Sequence, residues 1–312
     1  MYFTKLPDAT EPGYNEQRHF SKFGKHNIVF NASASESCCD QHVGCLSLKT
    51  VLKGEEWYGV GNRQIAVRPN QFLVLNNDQS YSSHINAGEG TRVVSIFFKK
   101  EFAAAVLKDA LYTEDQLLSD PHGTGEKIPE FFQTLHQAEP ALRSQLLNLV
   151  DSLDKHGYNN CLVDEHLVLL LHHLISVQQA ELCRSKSVNA IKPGTKAEVY
   201  KRLCVARDML HSCFSGNPDL TTIGETACLS VPQLVRQFKA VFHITPHQYL
   251  NRVKLEHAAH LLRSTHQPLQ QITWLCGFED VSAFCRAFKG AYGIQPGHFR
   301  SGRKGVEIIA KG

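Results

Sequence analysis

Two arginine–lysine pairs in the last third of the chain have the residue types and the spacing for contact with a nucleic acid. Arg236 and Lys239 lie in "VPQLVRQFKAVF", and Arg286 and Lys289 lie in "VSAFCRAFKGAY". An arginine can donate two hydrogen bonds to a base edge, and a lysine one helical turn later can contact phosphate. At about 100° per residue, the large apolar residues of each segment fall on one side of a helix, away from the cations. Each segment therefore predicts an amphipathic helix with a cationic outer face.

These two segments belong to an internal repeat. Residues 220–250 align with residues 269–299 at an offset of 49 before a tight turn and of 50 after it. A repeat this short predicts one supersecondary unit used twice, and each copy has the pattern of a helix-turn-helix. We expect Ser230 to cap the second helix of the first copy and Gly277 to end the short helix of the second. Two matched copies favour DNA contact over the solvated basic face that a single Arg/Lys pair usually indicates.

The segment between the two copies predicts one continuous helix. Thr245 is a good N-cap, Pro246 suits the first helical position, and the pattern ends before Pro268. Residues 246–264 would span about 28 Å at 1.5 Å per residue, near the roughly 34 Å helical repeat of DNA. Such a helix would place both cationic helices on one face of a duplex.

Charge is distributed unevenly along the chain. The net charge is +3, but residues 195–312 hold fifteen Lys and Arg against eight Asp and Glu, a balance of +7. Residues 1–194 hold the other eighteen basic and twenty-two acidic residues, a balance of −4. A basic C-terminal third is a physical indication of a polyanionic partner for that third.

The N-terminal part predicts a different architecture. From about residue 27 to 100, short alternating runs such as "CLSLKTVL" and "QFLVLN" are separated by turn residues, which predicts an antiparallel sandwich or barrel. From about 126 to 182 the period becomes helical in "IPEFFQTLHQ", "ALRSQLLNLVDSLDKHG" and "VDEHLVLLLHHLISVQQAEL". The last segment has one apolar stripe, which we expect to pack on the β domain; a helix-to-helix dimer contact is the alternative.

A polar segment divides the two parts. Residues 183–198, "CRSKSVNAIKPGTKAE", contain serine, proline, glycine and cations but little to bury, so they are expected to be an exposed linker. The predicted domains are therefore 1–182 for sensing and dimerisation and 199–312 for the repeated helical units.

The composition favours a folded protein without a membrane segment. Apolar residues make up 42% and charged residues 20% of the chain, as in ordinary globular domains. The most apolar window, residues 161–177, contains Asp164, Glu165 and three histidines and is too short to cross a bilayer. The polar opening of the chain lacks the apolar core of a secretory signal. We therefore expect a cytoplasmic protein whose ten scattered cysteines stay reduced.

Two segments of the C-terminal third are specific enough to compare with a known family, "LVRQFKAVFHITPHQYLNRVKLEHAAHLLRS" and "ITWLCGFEDVSAFCRAFKGAYGIQPGHFR". They resemble the AraC/XylS family of bacterial transcription regulators, whose DNA-binding domain has two helix-turn-helix units joined by a long helix. The resemblance implies that the second helix of each unit enters consecutive major grooves of double-stranded DNA. At the DNA-contacting positions of the family stand Pro232, Gln233, Arg236 and Lys239 in the first unit, and Asp280, Ser282, Arg286 and Lys289 in the second.

Three residues of the second unit depart from the family pattern. Thr273 replaces the usual alanine before the turn, Glu279 replaces the usual serine N-cap, and the bulky Trp274 is unusual. Acidic residues suit a helix N-terminus, but Glu279 and Asp280 would face a polyanion. The DNA affinity of the second unit is therefore the less predictable of the two.

The segment "LKGEEWYGVGNRQIAVRPNQFLVLN" resembles the cupin-like sensor barrel that many regulators of this family carry. The resemblance implies a small-molecule pocket in the barrel and a homodimer formed through the helices that follow. No His-x-His follows Gly54, so the metal-binding cupin pattern is missing, an iron-dependent oxygenase is disfavoured and no cofactor is expected. Polar-tipped aromatics and an amide can orient a ligand in an apolar barrel, so the effector-binding candidates are Trp57, Tyr58, Asn76 and Tyr81, with plain packing as the alternative for each.

Four residues in "CCDQHVGC", namely Cys38, Cys39, His42 and Cys45, form another candidate site. Thiolates and imidazole are soft ligands for zinc or copper(I), but the spacing is not that of a standard zinc finger. Incidental cysteines on a strand are the favoured interpretation, and a metal-sensing or redox-sensing regulator is the alternative. The sequence contains no glycine-rich phosphate loop and no convincing nucleophile–base motif, so an enzyme is disfavoured.

Together these features predict a multidomain α+β protein, with an N-terminal cupin-like β-barrel followed by helices and a C-terminal all-α double helix-turn-helix domain. The function that follows is a sequence-specific DNA-binding transcriptional regulator controlled by a small-molecule effector. Activation is the favoured direction, and RNA polymerase would then be a further partner. The alternative is a metabolite-binding or metabolite-modifying barrel with a basic docking tail.

Overall fold

The computed structural model of the chain describes residues 1–7, 14–15, 19–88, 90–111, 130–190 and 192–302. They form two compact units, Met1–Cys183 and Arg184–Gly312, which we call the N-terminal unit and the C-terminal unit. The fold class is confirmed, because the N-terminal unit is rich in β-strands and ends in helices while the C-terminal unit is helical.

The described part of the N-terminal unit contains two β-sheets. The strands are β1 (Tyr2–Phe3), β2 (Ile28–Ala34), β3 (Ser37–Val43), β4 (Ser47–Lys53), β5 (Glu56–Val60), β6 (Arg63–Val67), β7 (Gln71–Leu75), β8 (Ser80–Ile85), β9 (Thr91–Phe97) and β10 (Leu135–Gln137). One sheet has the order β1-β2-β9-β4-β7-β10 and the other the order β3-β8-β5-β6. Only β1 and β2 pair in parallel among these strands.

The two sheets face each other over the residues described and do not close, so the predicted β-barrel is instead an open pair of sheets, the sandwich that the alternating strands also allowed. Val51 and Val93 of the larger sheet share a buried apolar core with Tyr58 and Val60 of the smaller one. The opposite face of the larger sheet is also buried, through side chains such as Val94. A sheet buried on both faces needs apolar residues at successive positions, which explains runs such as "QFLVL" in β7.

Three helices complete the N-terminal unit: α1 (Lys100–Leu111), α2 (Pro140–His156) and α3 (Asn160–Ser185). The apolar stripe of α3, including Leu167, Leu170 and Leu174, is buried in the same core as Val94. The prediction that this stripe packs on the chain's own β domain is therefore confirmed.

The helix predicted in "IPEFFQTLHQ" is wrong for the residues that the structure describes. Residues 130–134 are irregular, and Leu135–Gln137 forms β10, which pairs with β7. The first part of that segment, residues 128–129, lies outside the described residues. A short apolar run can serve as a buried strand or as a helix, and the long-range pairing that decides between them is invisible in sequence.

The described part of the C-terminal unit is all helical. Its helices are α4 (Pro193–Ser212), α5 (Leu220–Thr226), α6 (Val231–Phe242), α7 (Pro246–Ser264), α8 (Leu269–Leu275), α9 (Val281–Tyr292) and α10 (Pro296–Arg300), with a 3-10 turn at Phe214–Gly216. The segment predicted as a linker, 183–198, is shorter in the structure. Helix α3 continues to Ser185, and α4 already begins at Pro193, where proline suits the first helical turn because it lacks an N–H.

None of the described helices is both long enough and apolar enough to cross a membrane.

Candidate nucleic-acid interface

The first helix-turn-helix unit consists of α5 and α6, and the second consists of α8 and α9. In the first turn, the N–H of Leu229 donates to the carbonyl of Gly224 at 2.8 Å. In the second, the N–H of Phe278 donates to the carbonyl of Thr273 at 3.1 Å, at the positions that the repeat aligns. The repeat seen in the sequence is therefore a repeat of backbone geometry.

Left-handed residues stand at matched places in both units. Cys228 has a φ of 52° and Gly277 a φ of 68° in the turns. His243 and Gly293, with φ of 62° and 76°, end α6 and α9. The prediction that Gly277 takes the left-handed conformation is confirmed.

The second helix of each unit is held by its apolar face. Residues of this face are buried at Leu234, Phe238 and Val241 in α6, and at Phe284, Phe288 and Tyr292 in α9. In α9 the rings of Phe284 and Phe288 lie 5.6 Å apart, and that of Phe288 lies 5.2 Å from Phe299 in α10. The aromatic residues are thus core, and the opposite face of each helix is turned to solvent.

All eight positions predicted to contact DNA lie on the exposed sides of α6 and α9 or at their N-termini. The exposed residues are Pro232, Gln233, Arg236, Lys239, Asp280, Ser282, Arg286 and Lys289. The structure therefore presents them, and their contact with DNA stays a prediction.

The four cations of this set carry uncompensated charge. Within the described residues, Arg236, Lys239, Arg286 and Lys289 form no ion pair, whereas Arg202 of α4 is paired with Glu198 at 3.0 Å. Exposed cations without an acidic partner are free to meet phosphate or base edges.

Gln233 has a second role at the start of α6. Ser230 is the N-cap, as predicted, and its hydroxyl and N–H donate to the side-chain oxygen of Gln233 at 3.1 and 3.4 Å. The Ser230 side chain also faces the backbone N–H of Gln233, so the two residues form a capping box. The capping box orients the amide of Gln233 at the N-terminus of α6.

Asp280, and not Glu279, caps α9. A carboxylate oxygen of Asp280 accepts a hydrogen bond from the N–H of Ala283 at 2.7 Å. The sequence alignment with the family placed Glu279 at the cap; the shorter Asp280 side chain, directly before the first helical residue, is the one that reaches the third N–H. Asp280 therefore stabilises the helix that carries Arg286.

Helix α7 joins the two units as one continuous element of 19 residues. Its bounds, Pro246 to Ser264, its N-cap Thr245 and its first-turn proline are as predicted. Near its start Tyr249 packs edge-on against Phe238 of α6 at 5.5 Å, and near its end Leu262 lies in the core of the second unit. One helix thus supplies buried side chains to both units.

A buried polar contact that sequence reasoning missed connects α7 to the second turn. The Lys254 ammonium donates to the carbonyl of Gly277 at 2.7 Å and to the side-chain oxygen of Asn217. The Asn217 amide donates to the same carbonyl at 3.0 Å. Burial lowers the pKa of Lys254. A lysine between Val253 and Leu255 in α7 was the available signal, but its partners lie in distant segments.

Comparison with known proteins bears on this half of the chain. A family model described as a helix-turn-helix domain matches residues 223–302. A probable transcriptional regulator from Photobacterium leiognathi, LumQ, is 37% identical over 78 residues, which cover 25% of this chain and 32% of that protein. The transcriptional activator RhaS of Escherichia coli is 34% identical over 104 residues, which cover 33% and 37% of the two chains. Residues 223–302 are thus similar to the helix-turn-helix domains of these transcriptional regulators.

The chain spans about one third of the length of these curated relatives. Among solved structures, the C-terminal domain of the response regulator AraT from Geobacillus stearothermophilus aligns at 28% identity and a TM-score of 0.32, covering 36% of this chain and 93% of that one. ToxT from Vibrio cholerae aligns at 15% identity and a TM-score of 0.33, covering 88% and 94%.

In the N-terminal unit, the four candidate effector residues divide into two groups. Tyr58 and Tyr81 are buried between the sheets, with ring centres 6.3 Å apart. Trp57 lies on the opposite face of β5, half-buried and stacked on His84, because neighbouring strand residues point to opposite faces. The side-chain amide of Asn76 donates one hydrogen bond to the Phe131 carbonyl and accepts one from the Phe131 N–H, both at 2.9 Å. These bonds hold the amide against the chain's own backbone.

A pocket of about 460 Å³, including the part open to solvent, lies beside the two tyrosines. Tyr58 contributes to its wall together with two charged residues that sequence reasoning did not select, Lys49 and Glu56. Both are buried, with 3% and 5% of their surface exposed. Lys49 stands between Leu48 and Thr50 in β4, where alternation on a one-sided sheet would have turned it to solvent.

The four residues of "CCDQHVGC" do not assemble into a metal site. Cys39 and His42 face inward on β3, with the Sγ and Nδ1 atoms 3.5 Å apart, while Cys38 is exposed on the other face. No group of three or more metal-ligating side chains is found in the described ranges. Burial raises the pKa of the Cys45 thiol, which opposes formation of a thiolate.

Proposed function

We propose that this chain is a sequence-specific DNA-binding transcriptional regulator whose activity is controlled by a small molecule bound in the N-terminal unit. The observation that carries the proposal is the pair of geometrically repeated helix-turn-helix units, each with an exposed arginine and lysine at matched positions. The match of residues 223–302 to a helix-turn-helix family model and the resemblance to the AraC/XylS family support it.

In this proposal α6 and α9 enter consecutive major grooves of double-stranded DNA. Arg236 and Arg286 read base edges, and Lys239 and Lys289 contact phosphate. The length of α7, about 28 Å at 1.5 Å per residue, supports a spacing near one helical turn of DNA. Pro232, Gln233 and Ser282 complete the surface that faces the grooves, and Asp280 acts through the cap of α9.

Activation is the favoured direction, because relatives such as RhaS carry the name of transcriptional activators. An activator would have RNA polymerase as a further partner. A homodimer formed through the helices of the N-terminal unit is also part of the proposal, supported by Leu162 and Leu169, which are exposed seven residues apart on α3. A regulator of this kind acts at the chromosome, in the cytoplasm of the cell.

The test uses the full chain. Selection of bound genomic fragments, followed by footprinting, defines an operator with two adjacent major-groove contacts. Arg236→Ala and Arg286→Ala are then compared with Lys201→Ala, which removes an exposed cation of α4 outside the predicted surface.

Each arginine variant is expected to lose about 1–3 kcal/mol of binding free energy and to relax specificity at one position if the residue reads a base. If it contacts only phosphate, binding weakens for all sequences and the salt slope falls by about one. Lys201→Ala should bind as the wild type does. Unchanged binding in both arginine variants would refute the proposed interface.

A further inference from the structure

The pocket of the N-terminal unit contains one buried cation whose hydrogen-bonding capacity is unused. Lys49 projects from β4, and its ammonium lies 3.5 Å from the centre of the Phe97 ring and 5.2 Å from that of Tyr81. Among the residues that the structure describes, this ammonium forms no hydrogen bond or ion pair, and Glu56 acts on it only through its charge. An ammonium has three donors, so burial without an acceptor is costly unless something else occupies the site.

The neighbouring carboxylate is in the opposite situation. Glu56 accepts a hydrogen bond from the Tyr58 hydroxyl at 2.6 Å, and the Ser83 side chain is also a hydrogen-bond partner. It forms no ion pair with Lys49 within the described part of the unit. The pocket therefore has a satisfied anion and an unsatisfied cation, and what it lacks is an acceptor, best supplied by a negative charge.

The pKa values of Lys49 and Glu56 agree with a lysine that lacks an acceptor. Burial lowers the pKa of Lys49 to about 8, an effect that Glu56, Cys45 and Cys39 only partly oppose. Burial raises the pKa of Glu56. At neutral pH the lysine is below this pKa and still carries its proton.

The walls of the pocket define the rest of the ligand. They are formed by aromatic rings above all, with Phe20, Phe23, Phe30 and Phe97 lining the space beside Lys49 and Glu56. The space that these rings line is open to solvent on one side. Glu56 would repel a doubly charged group, which disfavours phosphate esters.

We propose that the effector is a small organic monocarboxylate with an apolar body, and that Lys49 binds its carboxylate. This inference rests on the proposed function, because it names the chemical class of the molecule to which the regulator responds. The carboxylate supplies the acceptor that Lys49 lacks, and the apolar body packs against the phenylalanine rings.

The experiment measures binding to the full chain at pH 7 by calorimetry with two sets of matched probes. The aromatic set is 3-phenylpropionate, the neutral 3-phenylpropionamide and the cationic 3-phenylpropylamine, and the aliphatic set is octanoate and octanamide. The carboxylates should bind at least tenfold more tightly than the amides, and the amine should not bind. Lys49→Met should abolish this preference, while Lys53→Met, which removes an exposed lysine from the same strand, should retain it.

Two further measurements keep the test decisive. Glu56→Gln should tighten carboxylate binding, because it removes the negative charge that faces the ligand. Without ligand, Lys49→Met should melt at a higher temperature than the wild type at pH 7, and this gap should close as the pH rises from about 8 to 10.5. The sign follows because the unfolded lysine retains its proton over this range while the folded one loses it, so folding of the wild type becomes more favourable.

The proposal is overturned if no carboxylate binds, if an amide or the amine binds better, or if Lys49→Met keeps the carboxylate preference. A wild type that melts no lower than Lys49→Met at pH 7 would also contradict it, because the ammonium would then already have a partner. Operator binding is measured on the same preparations. If the wild type does not bind the operator, the proposed function is refuted. If the wild type binds the operator but no carboxylate, only the effector class is refuted.

Discussion

The first helix-turn-helix unit turns at Cys228 and the second at Gly277, yet both backbones take the left-handed conformation at that point. The first unit caps its outer helix with Ser230 and Gln233, and the second uses Asp280. The comparison shows that the geometry is repeated while the side chains that enforce it are not. Stability and DNA affinity should therefore respond differently to equivalent changes in the two units.

Gly277→Ala should have the largest effect on stability. The residue has a φ of 68°, and an added Cβ would lie 2.6 Å from the carbonyl oxygen of Ser215. We expect the free energy of unfolding to fall by about 3 kcal/mol, from left-handed strain and the backbone collision together. Urea denaturation measures it. Gly290→Ala is the control, because its Cβ would meet open space on α9, and it should stabilise the helix.

Lys254→Met tests the buried support of the second turn, whereas in the first turn the Arg202 guanidinium donates to the Cys228 carbonyl at 3.0 Å. The substitution removes the donor to the Gly277 carbonyl and to Asn217, and it should lower the free energy of unfolding by about 2 kcal/mol. Lys201→Met, at an exposed position of α4, should change it little. If the two variants denature at the same urea concentration, the buried contact does not hold the turn.

Cys228→Gly should act in the opposite direction from Gly277→Ala. A cysteine at a φ of 52° carries left-handed strain that glycine does not, so the variant should gain up to about 1 kcal/mol in denaturation experiments. Cys228→Ser keeps the strain and removes only the thiol, and it should match the wild type. A loss of stability in the glycine variant would show that the two turns are not equivalent.

The smallest expected effect concerns DNA affinity. Glu279 is exposed beside the N-terminus of α9, and it is the residue inserted at the second turn, between Phe278 and the N-cap Asp280, with no counterpart in the first unit. Glu279→Gln should tighten operator binding about two- to fivefold at low salt, because a like charge is removed near phosphate, and the gain should shrink as salt rises. Glu225→Gln, an exposed acid on α5, serves for comparison. Fluorescence anisotropy at two salt concentrations resolves the difference.

How much of this could be read from the sequence differs between the two halves of the chain. The bounds of α7 and the repeated turns were predictable, because local patterns such as Thr245-Pro246 and the spacing of apolar residues determine them. Strand β10 was missed because its structure depends on pairing with β7, more than sixty positions earlier. The residues of β10 themselves do not indicate that they pair with β7.

The N-terminal site shows the same limit at the level of single residues. Sequence reasoning chose Trp57 and Tyr58 together, although neighbours on a strand face opposite ways and only Tyr58 lines the pocket. Lys49 was not among the candidates. A lysine in an alternating strand usually faces water, and only the tertiary structure shows that both faces of this sheet are buried. Composition alone cannot distinguish the two cases.

The length of α7 has a consequence for how operators can vary. Because one continuous helix carries both helix-turn-helix units, each inserted residue would rotate the second unit by about 100° as well as move it by 1.5 Å. Rotation and translation cannot be adjusted separately along such a helix. The number of residues in α7 therefore fixes the rotation of one recognition helix relative to the other. Operators should tolerate a changed base more readily than a changed distance between the two contacted grooves.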